Sequence, residues 1–156
     1  MRQVTGGADG RIEMTPRIVT ESPMPLQLQF LILVFLGGGL GSTLRYGVNL
    51  TTVAWFGPSF PWGTLTVNVV GSAVMGAFAG YLLTREPGTG SDALRLFFMT
   101  GLLGGFTTFS AFSLDVVVLW QRGAAVTAVA YVLASVAVSL LALLAGMAAM
   151  KAVMAP

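Results

Sequence analysis

Apolar residues fill four long stretches of this chain, about 28–53, 62–83, 94–120 and 124–150, and polar residues gather only before and between them. Each stretch reaches the roughly 20 residues that carry a helix across a bilayer. The pattern therefore predicts an all-α membrane protein whose four transmembrane helices occupy one domain over 26–156. The connections are short and punctuated: Gly57 and Pro58 with Pro61, Glu86 to Ser91, and Gln121 to Gly123. Such loops make successive helices antiparallel neighbours in one compact bundle. Ahead of the bundle, residues 1–25 mix Arg2, Asp9, Arg11, Glu13, Arg17 and Glu21 with Pro16, Pro23 and Pro25. That composition predicts a disordered polar tail and not a cleaved leader, because the next apolar run is longer than a leader's apolar core.

Composition narrows the chemistry. Hydrophobic residues make up 55% of the chain and charged residues 9%, so almost nothing is left for a water-soluble domain. Cysteine and histidine are both absent, which excludes disulfides, thiol chemistry and the commonest metal ligands and proton shuttles. The net charge of +2 comes from scattered basic residues, so no nucleic-acid partner is expected. Arg17, Arg85, Arg95 and Lys151 fall near one membrane face and Arg45 and Arg122 near the other. The bias leans weakly towards cytoplasmic termini and is small enough to leave room for insertion in both directions.

The third stretch departs most from an ordinary span. Gly101 to Ser113 reads Gly-Leu-Leu-Gly-Gly-Phe-Thr-Thr-Phe-Ser-Ala-Phe-Ser, which predicts a third helix broken in its middle. Backbone groups freed inside hydrocarbon cost several kcal/mol each, so such breaks persist where protein, ions or water satisfy them. Phe109 and Phe112, three residues apart, sit here among Thr107, Thr108, Ser110 and Ser113. Ring edges carry partial positive charge and suit an anion, although aromatic pairs are more often core. Carbonyls released at the break suit a hard cation.

Three further patterns stand out. In the second stretch Thr64, Asn68, Gly71 and Ser72 share a stripe, and the Asn68 amide is either glue between helices or a pair of uncharged donors for an anion. In the fourth, Tyr131, Ser135 and Ser139 recur every four residues and make a polar track on an aliphatic helix. In the first, Gly38, Gly41 and Arg45 share a face; the glycines read as close packing, and Arg45 must reach an interface, a wet vestibule or a partner group. Asp115 is the one acid inside a span and is expected to cap or pair near the membrane edge.

The segments GGGLGSTLRY, GTLTVNVVGS and GGFTTFSAFS, in this order on the first three spans, resemble the CrcB or Fluc family of fluoride channels, over about residues 30–150. The resemblance implies a dual-topology homodimer of antiparallel subunits in the bacterial inner membrane, with membrane lipid around it. It also implies fluoride pores and a structural Na+, and passive export that lowers fluoride toxicity. By position, Asn68, Phe109, Phe112, Ser110, Tyr131, Ser135 and Ser139 correspond to the pore. Arg45 and Thr64 correspond to vestibule or structural positions, and the carbonyls of Gly104 and Thr107 to the Na+ ligands. One departure is Ala111, where the family usually has a second Thr.

Two rivals stand against that expectation. A proton-coupled transporter of the small multidrug type needs a membrane-embedded carboxylate, and the first, second and fourth spans have none. A non-transporting scaffold makes Asn68, the hydroxyl track and the break coincidental. No residue set reads as an intramembrane enzyme.

Overall fold

The computed structural model describes residues 25–83 and 89–155. The expected tail, with Arg17, and the second connection with Arg85 lie outside the described residues, Pro25 and the end of that connection excepted. Four helical segments are long and apolar enough to cross a membrane: Leu26–Phe56, Trp62–Leu82, Asp92–Gln121 and Ala125–Met154. The first is helix α1, the second α2 and the last α6. The third span is composite. It runs from α3 (Thr89–Leu94) through a π-helix (Arg95–Leu103) and one turn of α4 (Gly104–Phe106) to α5 (Phe109–Gln121). At 31 residues, α1 is about 46 Å long, more than a 30 Å hydrocarbon core requires, so it tilts or projects.

The helix ends follow local chemistry. Gly57 ends α1 at φ 76°, its N–H donating to the Val53 carbonyl at 2.9 Å. Gly123 turns the chain between α5 and α6 at φ 77°. Both positions need the left-handed backbone that glycine adopts without a Cβ clash.

Packing pairs alternate spans. The most extensive contacts join α2 to α6 and α1 to the first half of the third span. Helices two spans apart run in the same direction, so both of these interfaces are parallel. The antiparallel neighbours set by the loops touch less. Glycine explains the choice of partner. A Cβ on Gly37 would lie 2.5 Å from the Phe97 carbonyl oxygen, and one on Gly41 would strike the backbone of Leu102 and Phe106. From the other side, a Cβ on Gly105 would lie 2.5 Å from the Gly38 carbonyl. The bland reading of the first-span glycines as close packing is thus what the backbone displays. Without a hydrophobic drive between helices in lipid, this approach of backbones supplies the dispersion contacts that hold spans together.

A small apolar core closes the end of the bundle that carries the first and third connections. Tyr131, Ala128 and Leu119 are buried there, with Phe60, Leu65, Phe112 and Val116 packed around them. Elsewhere large apolar side chains face outwards, Phe35 and Trp55 among them, as suits a surface bathed in lipid.

Candidate functional site

The third span loses helical geometry at two residues. Thr107 (φ −81°, ψ 160°) and Thr108 (φ −156°, ψ 122°) are extended, and the helix resumes at Phe109. Asn68 on α2 bridges the gap. Its Nδ2 donates to the Thr108 carbonyl at 3.1 Å, and the Thr108 N–H donates to its Oδ1 at 2.8 Å. Only one orientation of the amide satisfies both bonds, so the side chain is fixed. One of its two N–H donors is committed to the backbone and one is left. Thr108 also caps α5, its Oγ1 accepting from the Ala111 N–H at 3.2 Å.

These bonds redirect donors that an unbroken helix would use. The Thr108 N–H turns to Asn68 instead of the Gly104 carbonyl, and the Ala111 N–H to Thr108 Oγ1 instead of the Thr107 carbonyl. Carbonyl oxygens of Gly104 and Thr107 thereby lose their usual helical donors. From α1, Arg45 Nη1 reaches the Thr107 carbonyl, Arg45 Nη2 reaches Ser42 Oγ, and Ser42 Oγ reaches the Gly105 carbonyl, each at 3.5 Å. These are long, weak contacts, and they point the half-buried guanidinium at the break.

Beside the break lies an open cavity of about 440 Å³, lined by Asn68, Ser72, Phe109, Phe112, Ser135 and Ser139 together with Thr107 and Thr108. The Oγ atoms of Ser135 and Ser139 are buried and have no hydrogen-bond partner among the described residues. Serine and threonine in helices usually donate back to the carbonyl one turn earlier. Thr43, Thr51, Thr52 and Ser113 do so here at 2.8–2.9 Å. A buried orphan hydroxyl is unfavourable by about 1–3 kcal/mol, which implies that something beyond the described residues satisfies these two.

The two phenylalanines share a cluster but not an environment. Their ring centroids are 5.6 Å apart. Phe112 also packs on Tyr131 at 5.4 Å. Phe109 is 78% exposed and so belongs to no core of a single chain. Tyr131, fully buried, lines neither this cavity nor the next and donates its hydroxyl to Asp115 Oδ2 at 3.2 Å. A second open cavity, of about 360 Å³, includes Thr64, Asn49, Ala111, Asp115 and Arg122.

The residues singled out in the sequence thus divide. Asn68, Phe109, Phe112, Thr107, Ser135 and Ser139 meet at one cavity. Thr64 faces the second cavity, and Tyr131 touches one lining residue of each, Phe112 of the first and Asp115 of the second. Ser110 lies at the mouth of α5 with its Oγ 3.3 Å from Thr108 Oγ1. Gly104 is exposed beside the break and Arg45 lies behind it. Asp115 pairs with Tyr131, in line with the expectation that it caps or pairs. Sequence reasoning missed the structural part of Thr108. The signal was available, since a Thr directly before a helical run is a standard N-cap.

A sequence profile described as CrcB-like protein, Camphor Resistance (CrcB), matches residues 32–147, most of the chain and every residue placed at the two cavities. The chain belongs to the CrcB family. Among CrcB relatives, the "Fluoride-specific ion channel FluC" of Rhizobium leguminosarum bv. trifolii (strain WSM2304) is 53% identical over 121 residues, 78% of this chain and 95% of that protein. "Fluoride-specific ion channel FluC 2" of Nitrobacter hamburgensis (strain DSM 10229 / NCIMB 13809 / X14) is 50% identical over 120 residues, 77% of this chain and 95% of its own length. A third, from Rhizobium etli (strain ATCC 51251 / DSM 11541 / JCM 21823 / NBRC 15573 / CFN 42), is 54% identical over 121 residues, 78% of this chain and 95% of the relative, and is also named a fluoride-specific ion channel. With four apolar spans and this kinship, the chain is a multi-pass bacterial membrane protein.

Proposed function

We propose that this chain is a fluoride channel that lets the ion leave the cell passively. The observation that carries the reading is the pair of buried, unpartnered hydroxyls of Ser135 and Ser139, facing one cavity with the Asn68 amide and the rings of Phe109 and Phe112. Fluoride is small and strongly hydrated, so a path through hydrocarbon must replace its water with donors. These walls offer hydroxyl and amide donors and ring edges, with no cationic side chain lining the cavity. Uncharged donors stabilise the ion while still allowing release, the balance that conduction requires. The names of the relatives support the choice of fluoride among anions, and of a channel over an enzyme.

In this reading Asn68 has two tasks. Its Oδ1 and one N–H hold the interruption of the third helix open, and its second N–H serves the ion. Phe112 is anchored on Tyr131, whereas the 78% exposure of Phe109 supports a pathway completed by a second copy of the chain. The weak basic bias of the loops supports antiparallel insertion of the two copies. The carbonyls of Gly104 and Thr107, deprived of their helical donors, fit a hard cation such as Na+, which the two subunits would hold through these oxygens. Bound there, it would make the local potential more favourable for anions.

A proton-coupled exchanger is not favoured, because the one acid among the described span residues that faces a cavity, Asp115, already accepts from Tyr131. The deciding experiment loads liposomes with fluoride, adds the purified full chain and follows release with a fluoride electrode. Gradient-driven fluoride release with chloride retained is expected. Proton-coupled movement of organic cations, or equal release of chloride, overturns the reading.

A further inference from the structure

The register between α2 and α6 can be taken from their glycine contacts. A Cβ on Gly76 would strike the Leu143 carbonyl, and one on Gly80 would lie 2.9 Å from the Met147 carbonyl. Both steps are one helical turn, and the two helices run parallel. One turn back, the same register brings Ser72 beside Ser139, and a further turn brings Asn68 beside Ser135. All four line the larger cavity. Beyond Ser72 and Ser139 the lining becomes apolar, with Met75, Leu140 and Leu143.

Ser139 Oγ is buried without a partner. Ser72 is half-buried and its hydroxyl makes no hydrogen bond within the described residues. It therefore departs from the back-bonding that Thr43, Thr51 and Thr52 show on α1. These two hydroxyls, neither bonded within the described residues, mark the last turn of the cavity at which donors are available before the lining turns apolar.

We infer that Ser72 is an anion-contacting residue of the pathway, so that α2 supplies two donors in succession, Asn68 and Ser72, opposite the two of α6. The Ser72–Ser139 pair is where an ion arriving from the Met75 side first exchanges water for protein donors. Its small size matters as well as its hydroxyl, because a larger residue on α2 would fill the space between the helices. The inference rests on the fluoride-channel reading.

The test compares wild type, Ser72→Ala, Ser72→Thr and Ser72→Leu in the liposome assay, with fluoride concentration varied and chloride release followed in parallel. Ser72→Ala is expected to slow release about tenfold and to raise the half-saturating fluoride concentration by a similar factor, the effect of one lost bond to a charged ligand. Ser72→Thr, which keeps the hydroxyl, is expected to restore that concentration, and Ser72→Leu to abolish release while the protein remains monodisperse. If wild type conducts and Ser72→Ala matches it in rate and half-saturation, the inference about Ser72 fails alone. It fails likewise if Ser72→Ala loses rate only in proportion to lost folded protein, with half-saturation unchanged. A silent wild type sinks the channel reading and this inference with it.

Discussion

Both major interfaces of this protein are parallel pairs of spans built on small residues, yet one is closed along its contact and the other opens. Between α1 and the third span, Gly37, Gly41, Gly101 and Gly105 bring backbone against backbone. Between α2 and α6 the same device operates at Gly76, Gly80 and Gly146, but towards the loop end the helices are lined by Asn68, Ser72, Ser135 and Ser139 around a cavity. The difference lies in what replaces glycine. A hydroxyl or amide leaves a polar surface at the cavity, and there Asn68 is bonded to the Thr108 backbone whereas Ser135 and Ser139 have no partner among the described residues. Small residues in membrane helices therefore have two meanings, and the fate of the neighbouring polar atoms tells them apart.

Four substitutions can break or sharpen that contrast. The largest effect is expected from Gly41→Val, whose side chain would collide with the backbone of Leu102 and Phe106, atoms that cannot rotate away. Overpacking of this kind costs about 1–3 kcal/mol or more. Loss of the monodisperse peak in size-exclusion chromatography is the expected readout; a well-folded, conducting Gly41→Val would show that the α1 interface is not closed.

Asn68→Ala comes next. It leaves the Thr108 N–H and carbonyl without their partner, a loss of roughly 1–3 kcal/mol for each buried group. Fluoride release is expected to fall about a hundredfold, with a lower midpoint of thermal unfolding in detergent. Ser139→Ala should separate function from stability. Its Oγ has no partner among the described residues to lose, so stability should stay within about ±0.5 kcal/mol of wild type while release drops about tenfold. A marked loss of stability would instead show that the hydroxyl is structural. The smallest effect is expected from Ala111→Thr, which places a hydroxyl in the second, more polar cavity. The Asn49, Thr52, Ser59, Thr64, Asp115 and Arg122 side chains already make that lining polar, so release is expected to change by less than about twofold.

The phenylalanines sharpen the comparison further. Phe112 packs on Tyr131 within a buried cluster, whereas Phe109 stands outside it. Phe112→Ile is expected to lower both stability and release, and Phe109→Ile release alone, with thermal melts and the electrode assay read side by side. Equal destabilisation by the two would remove the distinction.

Much of the molecule was legible in its residue order. Runs of apolar residues fix which segments enter lipid, because length and transfer energy are properties of the segment itself. Thr64, Asn68, Ser72 and Tyr131, Ser135, Ser139 could be placed on helical stripes for the same reason, since a fixed pitch turns spacing into direction. Gly101 to Ser113 set the third span apart by carrying glycines and hydroxyl residues where a membrane helix ordinarily has Leu and Val. Which stripe faces which cannot be obtained in this way. Nothing in the order of residues states that α2 lies parallel to α6, that Asn68 finds the Thr108 backbone, or that Asp115 receives the Tyr131 hydroxyl. These are contacts between residues far apart in the chain, chosen by how closely glycine-bearing surfaces can approach, and pitch and hydropathy carry no term for that. Sequence alone determined a four-span membrane protein with polar atoms on its helices; tertiary packing decided which of those atoms find a partner among the described residues and which, like the Ser135 and Ser139 hydroxyls, do not.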